Sequence, residues 1–200
     1  MNIYTPAQAA AVTGLPLKSV QKAIDSRSVP FRIIRRRGIG KRYLVEASLI
    51  CLRLEAEGLR QLPLEFRRQV YRTVARTPHE RQIRFSDVVL VDVAKARKGL
   101  AIGLNELRKA ERMIISNPEI MGGTPVFRGT RVPVYAIAGL VRGGTPVEEI
   151  LEGYPSLTEE KIRLAELYVT AHPKRGRPPA QPWAGTRPVR RTRKRLNRAA

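Results

Sequence analysis

Apolar side chains at helical spacing predict two short helices at the start of the chain. Thr5-Pro6, a hydroxyl residue followed by proline, opens a helix that runs to Val12 and stops before Gly14. Pro16 opens the second helix, whose apolar side chains are Leu17, Val20, Ala23 and Ile24. Two short helices joined by a turn of about three residues that contains glycine form the helix-turn-helix pattern.

An extended pattern follows, in which apolar and basic residues alternate. The runs 31–37 and 41–45 flank Gly38-Ile39-Gly40 and predict a β-hairpin. Glu46 then opens a third helix, whose apolar residues close a small core: Leu49, Ile50, Leu52, Leu54 and Leu59.

The middle of the chain has a weaker pattern. Residues 62–77 predict an amphipathic helix, and residues 83–91 are rich in β-branched side chains and predict a short strand. A lone strand needs a backbone partner, so we expect it to pair across a dimer. Residues 95–113 predict helix with interruptions at Gly99 and Gly103.

Residues 117–134 alternate glycine with proline. This pattern predicts tight turns around one short extended piece, Val126-Phe127. Three helices are predicted behind this stretch. They cover residues 134–142, the segment from Thr145-Pro146 to about Tyr154, and the segment from Thr158 through Val169.

These elements predict a protein that is mainly α with small β elements. We expect four parts: a winged helix-turn-helix domain at 1–60, a helix and strand connector at 61–114 that is a candidate for dimerisation, a three-helix, helix-turn-helix-like module at 115–172, and a basic extended tail at 173–200.

The charge is unevenly distributed. The net charge of +21 divides into +7 for residues 1–60, +6 for 61–114, −2 for 115–171 and +10 for 172–200. Such a basic chain indicates an anionic partner, nucleic acid before a membrane surface or an acidic protein. The acidic helices of the third part, which carry Glu148, Glu149, Glu152, Glu159, Glu160 and Glu166, favour protein contact, either dimerisation or docking on a partner.

Several functions are disfavoured. Cys51 is the only cysteine and His79 and His172 lie far apart, so we expect no disulfide, metal site or cofactor. The sequence contains no nucleophile beside a base and no pair of carboxylates that would indicate an enzyme. Asp87 and Asp92 are close in sequence but would face opposite sides of a strand. Without a leader peptide or a membrane span, a cytoplasmic location is expected.

The basic residues of the N-terminal domain are candidates for DNA contacts. In a helix-turn-helix the second helix enters the major groove, and a basic hairpin behind it lies along phosphates or the minor groove. The candidates are Lys18, Ser19, Gln21, Lys22, Arg35, Arg36, Arg37, Lys41 and Arg42. The alternative is an ordinary helical hairpin with a solvated basic face.

This domain resembles the small winged helix domains of the MerR and excisionase type. The resemblance rests on Tyr4-Thr5-Pro6-Ala7-Gln8-Ala9-Ala10, on residues 20–25, and on residues 41–49 behind the hairpin. It implies a DNA-binding role.

Residues 116–134, with the core Gly122-Gly123-Thr124-Pro125-Val126-Phe127-Arg128-Gly129-Thr130-Arg131, closely resemble the bacterial family of domains of unknown function numbered 433. That family is similar to the VapB antitoxins of VapBC toxin-antitoxin pairs, whose toxin is a PIN-domain ribonuclease. The resemblance covers about residues 115 to 172 and implies an antitoxin. We expect Arg128 and Arg131 to pair with Glu119 or with a helix carboxylate.

The tail contains no acidic residue and is expected to be disordered when free. A PIN nuclease site is a cluster of carboxylates, so the resemblance implies that arginines of the tail bind the toxin, with Trp183 as an apolar anchor. The candidates are Arg175, Arg177, Trp183, Arg187, Arg190 and Arg191. The alternatives are an AT-hook at 175–178 and a solvated tail that binds nucleic acid.

The sequence therefore predicts a dimeric antitoxin that binds operator DNA with its first domain, represses its own operon, and neutralises a PIN-domain toxin with its C-terminal half and tail. The alternative is a stand-alone DNA-binding transcriptional regulator or recombination accessory protein without a toxin.

Overall fold

The computed structural model describes residues 2–36, 39–77, 79–86 and 89–174. The hairpin residues Arg37 and Gly38, the carboxylate Asp87 and the whole tail from Arg175 lie outside this part of the chain. The predictions made for them are not addressed by the structure.

The first two helices form as their sequence signals predict. Helix α1 (Pro6–Thr13) begins with a capping box, in which the Gln8 backbone N–H donates to Thr5 Oγ1 at 3.2 Å and the Thr5 N–H donates to Gln8 Oε1 at 2.9 Å. Gly14 ends it with a left-handed φ of 78°. Helix α2 (Leu17–Asp25) follows after the turn.

A three-stranded antiparallel sheet packs beside these helices. Its order is β1 (Ile3–Tyr4), β3 (Ile39–Val45) and β2 (Phe31–Arg36), so β3 is central. Phe31 lies opposite Leu44 and Arg36 opposite Ile39, which confirms the predicted hairpin.

Two further helices complete the N-terminal core. They are α3 (Glu46–Ala56) and, after a 3-10 turn at Leu59–Gln61, α4 (Leu64–Arg76). A buried polar cluster joins them: the Tyr71 hydroxyl and, at 3.0 Å, Arg67 both donate to the Glu55 carboxylate. Burial first, and the bond to Glu55 second, raise the pKa of Tyr71. The Glu55 carboxylate is thus hydrogen-bonded twice inside an apolar core, whereas Nε of Arg67 is buried without a hydrogen-bond partner among the described residues.

The prediction that the strand at 83–91 pairs with a second chain is wrong. Strands β4 (Gln82–Arg84) and β5 (Leu90–Asp92) pair with each other in antiparallel register, with Ile83 opposite Val91. Backbone groups that were expected to need a second chain find their partners within this one.

Helix α5 (Val93–Met113) is continuous, so the interruptions expected at Gly99 and Gly103 are also wrong. A Cβ atom at Gly103 would lie 2.6 Å from the carbonyl oxygen of Val12, and one at Gly99 would lie 2.9 Å from the guanidinium of Arg53. The glycines let α5 approach α1 and α3 closely and do not break the helix.

The glycine and proline stretch forms the predicted turns around a short strand. Strand β7 (Val126–Phe127) pairs with β6 (Ile114–Ile115), and Ile114 lies opposite Phe127. A 3-10 turn at Met121–Gly123 precedes it, and Gly122, Gly123 and Gly129 have φ values of 62°, 82° and 78°. Phe127 is fully buried and begins the second core.

Three helices follow: α6 (Val134–Arg142), α7 (Val147–Gly153) and α8 (Glu159–Ala171). Helix α8 joins two cores, because Ile162 and Val169 pack with Phe127 whereas Ala171 and, in part, Leu167 pack with α1 and α5. Helix α8 therefore packs directly against α1, the first helix of the helix-turn-helix.

The predicted fold class is confirmed, since the described residues are mainly helical with small antiparallel sheets. The boundaries of the four predicted parts stay a prediction, and the shared packing of α1, α5 and α8 shows how closely neighbouring parts contact each other.

Candidate nucleic-acid interface

The exposed side of α2 carries the candidate base-reading residues. Lys18, Gln21 and Lys22 are exposed and Ser19 is half-buried. The other side is anchored in the core by buried apolar residues, Val20, Ala23 and Ile24. The helix therefore presents amine and amide groups, which can reach guanine, adenine or phosphate, on a fixed support.

The hairpin β2–β3 is tied to α2 by an ion pair. The guanidinium of Arg42 donates to Asp25, the last residue of α2, and also lies 6.0 Å from the centroid of the Phe31 ring. Arg42 was predicted as a phosphate ligand, but this arrangement gives it a local partner. Its charge also neutralises the only carboxylate of α2.

The remaining basic residues of the hairpin do not share one face. Register places Arg35 on the same face as Arg42 and Phe31, whereas Lys41 lies opposite Ile34 on the other face. Both Arg35 and Lys41 are exposed. The backbone of Arg36 pairs with Ile39, but its side chain, like all of Arg37, lies outside the described structure.

Sequence reasoning missed a basic flank beside α2. Helix α4, part of the predicted connector, brings Arg67 next to α2, and brings Arg68 and Arg72 next to residues 27–31, which follow α2. A cavity of about 270 Å³ lies between α2 and α4, and one of about 480 Å³ lies between residues 27–31 and α4; Ser28 lines both. The i, i+4 spacing of Arg68 and Arg72 is a visible signal, although only the fold shows that these side chains face the segment after α2.

The C-terminal module has the opposite electrostatic character. Glu148, Glu149, Glu152 and Glu159 are exposed and have no ion pair within the described residues, while Glu160 and Glu166 lie 3.5 and 3.6 Å from Lys109 and Arg142. DNA phosphates would be repelled by this surface.

The expected pairing of Arg128 with a carboxylate is wrong. The side-chain Nε of Arg128 donates to the backbone oxygen of Arg112 at 3.0 Å, and the backbone N–H of Arg128 donates to the backbone oxygen of Met113 at 2.7 Å. It closes the end of α5, whose last carbonyls need donors. Arg131 is exposed and forms no ion pair with the residues that the structure describes.

The described part of the chain ends at a polar junction. The Tyr135 hydroxyl donates to the His172 oxygen at 2.6 Å, and the His172 ring nitrogen Nε2 lies 2.9 Å from Glu111, which also accepts from Gln8 of α1 at 3.3 Å. Lys174 then lies 4.7 Å above the Tyr135 ring. All predicted toxin-binding residues lie beyond this point, outside the described chain.

Within the described ranges, no group of three or more metal-ligating side chains converges. None of the helices there is both long and apolar enough to cross a bilayer.

Comparison with known proteins defines the family. Residues 114–169 match the family described as protein of unknown function (DUF433), which confirms that resemblance. The chain is 36% identical to uncharacterized protein y4eO of Sinorhizobium fredii over 183 residues, which cover 85% of this chain and 81% of that protein. This protein therefore belongs to the same family as y4eO and carries a DUF433 domain.

A crystal structure of Rv2018 from Mycobacterium tuberculosis is similar over 82% of this chain and 96% of that one, with 14% identity and a TM-score of 0.32.

Proposed function

We propose that this protein is an antitoxin and transcriptional autorepressor. Its N-terminal helix-turn-helix and hairpin bind operator DNA as a dimer, and its C-terminal half and tail bind and inhibit a PIN-domain ribonuclease. The DNA-binding half is supported by the geometry of α2, and the antitoxin half by the resemblance of the DUF433 family to VapB antitoxins.

One observation carries the DNA-binding proposal. Helix α2 presents Lys18, Gln21 and Lys22 to solvent, and its only acid, Asp25, is neutralised by Arg42 of the hairpin. A helix with a cationic and amide face, held beside a basic hairpin, matches the charge and the hydrogen-bonding groups of a major groove.

The contrast between the two halves of the protein supports a division of labour. The exposed glutamates of α7 and α8 disfavour a second DNA-binding surface, and the tail carries a net charge of +10 without an acid. Arginines can bind a carboxylate cluster in bidentate geometry, which suits a tail that blocks a metal-dependent nuclease site.

The DNA-binding half is tested with the promoter fragment of the protein's own operon and an unrelated fragment of equal length and base composition. We expect retardation of the promoter fragment at protein concentrations that leave the control fragment free. Equal retardation of both would mean non-specific binding, and no retardation of either would refute the proposal.

The antitoxin half is tested by co-expression with the neighbouring open reading frame. A small acidic PIN-type protein should co-purify, and its ribonuclease activity should be suppressed. Truncation after Lys174 keeps every described contact of α8 but removes the arginine-rich tail, so co-purification or inhibition should be lost. Full inhibition by the truncated chain would remove the tail from the mechanism.

A stand-alone DNA-binding transcriptional regulator or recombination accessory protein is the second candidate. The positive charge of the N-terminal part supports it equally well. It would be favoured if the promoter is bound but no nuclease is encoded beside the gene or none co-purifies.

A further inference from the structure

A cleft between residues 27–31, which follow α2, and helix α4 is not part of the predicted DNA-binding set. Its volume is about 480 Å³, and its lining includes Phe31, Tyr71 and three arginines: Arg27, Arg68 and Arg72. It lies directly after the recognition helix, because Arg27 is the second residue beyond Asp25.

The backbone of Arg27 is unusual. Its φ of 52° is left-handed, and among the described residues other than glycine only Met121 shares a positive φ. The N–H of Ser28 reaches back to the Ala23 oxygen at 2.9 Å and the N–H of Arg27 to the Ile24 oxygen at 3.1 Å, which is how a helix ends on a glycine. An arginine is strained at such a position, and strain of this kind clusters at binding sites.

The charges in the cleft are not balanced. Within the described structure, Arg27 and Arg72 form no ion pair, and Arg68 is 2.5 Å from Glu65, an exposed carboxylate on the same helix. Cationic side chains that line one cavity repel each other unless an anion lies between them. A planar guanidinium binds phosphate oxygens in bidentate geometry, so a phosphate fits this site best.

The cleft also flanks the base-reading face of α2. Ser19 and Lys22 of α2 and Ser26, just after the helix, line the smaller cavity that faces α4, whereas Asp25 contacts Arg42 of the hairpin. The exposed face with Lys18 and Lys22 therefore lies between the hairpin on one side and α4 on the other.

We propose that Arg27 and Arg72 form a binding site for a DNA backbone phosphate, next to the bases that α2 contacts. Together with the hairpin, this site holds the duplex on both sides of the recognition helix. The inference rests on the proposed DNA-binding function and adds a surface that includes α4.

The sharpest test is Arg27→Gly, because glycine fits the left-handed backbone and removes only the guanidinium. The variant should keep or raise the melting temperature of the protein. It should bind both operator and unrelated DNA more weakly, and the slope of log Kobs against log salt should fall in magnitude by about 1. Arg72→Ala, on the exposed side of a helix, should weaken DNA binding and reduce the salt slope in the same way.

Arg131→Ala is the matched control, since it removes one exposed arginine that forms no ion pair with the described residues, and it should leave affinity and slope unchanged. The proposal is overturned if Arg27→Gly and Arg72→Ala bind DNA with the affinity and salt slope of the wild type, while changes at Lys18 and Lys22 weaken binding. In that case the proposed DNA-binding function stands and only this phosphate site is rejected. A wild-type protein that binds no DNA rejects both.

Discussion

Arg42 of the hairpin and Asp25 at the end of α2 form an ion pair that links the two elements proposed to contact DNA. The pair joins the hairpin to α2 and neutralises the only carboxylate of that helix. Its geometry makes Arg42 a positioning residue, although the sequence had suggested a phosphate ligand.

A double-mutant cycle with Asp25→Ala and Arg42→Ala should show a weak coupling. Both side chains are more than half exposed, so we expect an interaction free energy of about 0.2 to 1 kcal/mol in denaturant unfolding, decreasing at high salt. A coupling that does not depend on salt would contradict an electrostatic link.

Helix propensity alone predicts that replacing a glycine of α5 by alanine stabilises the protein, but the close packing of α5 on α1 predicts the opposite at Gly103. Gly103→Ala places a methyl group against the Val12 carbonyl oxygen, so overpacking should lower the free energy of unfolding by about 1 to 3 kcal/mol. The matched control is Gly139→Ala in α6, where nothing lies within 4 Å of the new Cβ and stability should rise by up to about 1 kcal/mol. Stabilisation by both changes would contradict the close packing of α5 on α1.

Glu106 makes stability depend on pH. Its hydrogen bond from Arg163, and secondly the nearby charges of Arg163 and Lys109, hold the pKa of Glu106 below its ordinary value near 4.5. A depressed folded pKa stabilises the protein above the unfolded value, and this stabilisation is lost as the pH falls through the folded pKa.

The difference in unfolding free energy between the wild type and Glu106→Gln should therefore be largest near neutral pH and shrink below about pH 4.5. Glu152→Gln, at an exposed position on α7, is the control and should keep the pH dependence of the wild type. A Glu106→Gln difference that is constant from neutral to acid pH would show that the ion pair between α5 and α8 does not stabilise the fold.

Cys51 should be chemically inert in the folded protein. Burial, and secondly the charge of Glu55, raise the pKa of its thiol to about 12, and the thiolate is the reactive form. A thiol reagent at mildly alkaline pH should label it only after denaturant unfolds the chain. Rapid labelling of the native protein would mean that the core around α3 opens readily.

Local signals predicted much of this fold. Thr5, Gly14 and Thr158 act through their own backbone neighbours, so the ends of α1 and the start of α8 were visible in the sequence. The signature from Gly122 to Gly129 likewise specifies its turns through short-range backbone conformation.

Features that depend on distant partners were missed. Gly103 is tolerated in a helix because Val12, far away in the sequence, lies against it, and a glycine alone indicates an interruption. The left-handed conformation of Arg27 closes the end of α2, but arginine carries no local signal for positive φ, and only the fold shows that Arg72 lines the same cleft as Arg27.

The salt dependence of DNA binding tests the central claim most directly. The double variant Lys18→Ala/Lys22→Ala removes two exposed lysines from α2. The control, Lys95→Ala/Lys98→Ala, removes two exposed lysines from α5 and so lowers the net charge by the same amount. The account predicts that the α2 variant binds the operator more weakly and reduces the salt slope by up to about 2, whereas the α5 variant keeps the affinity and slope of the wild type. Equal binding by the two variants would contradict the assignment of α2 as the DNA-reading helix.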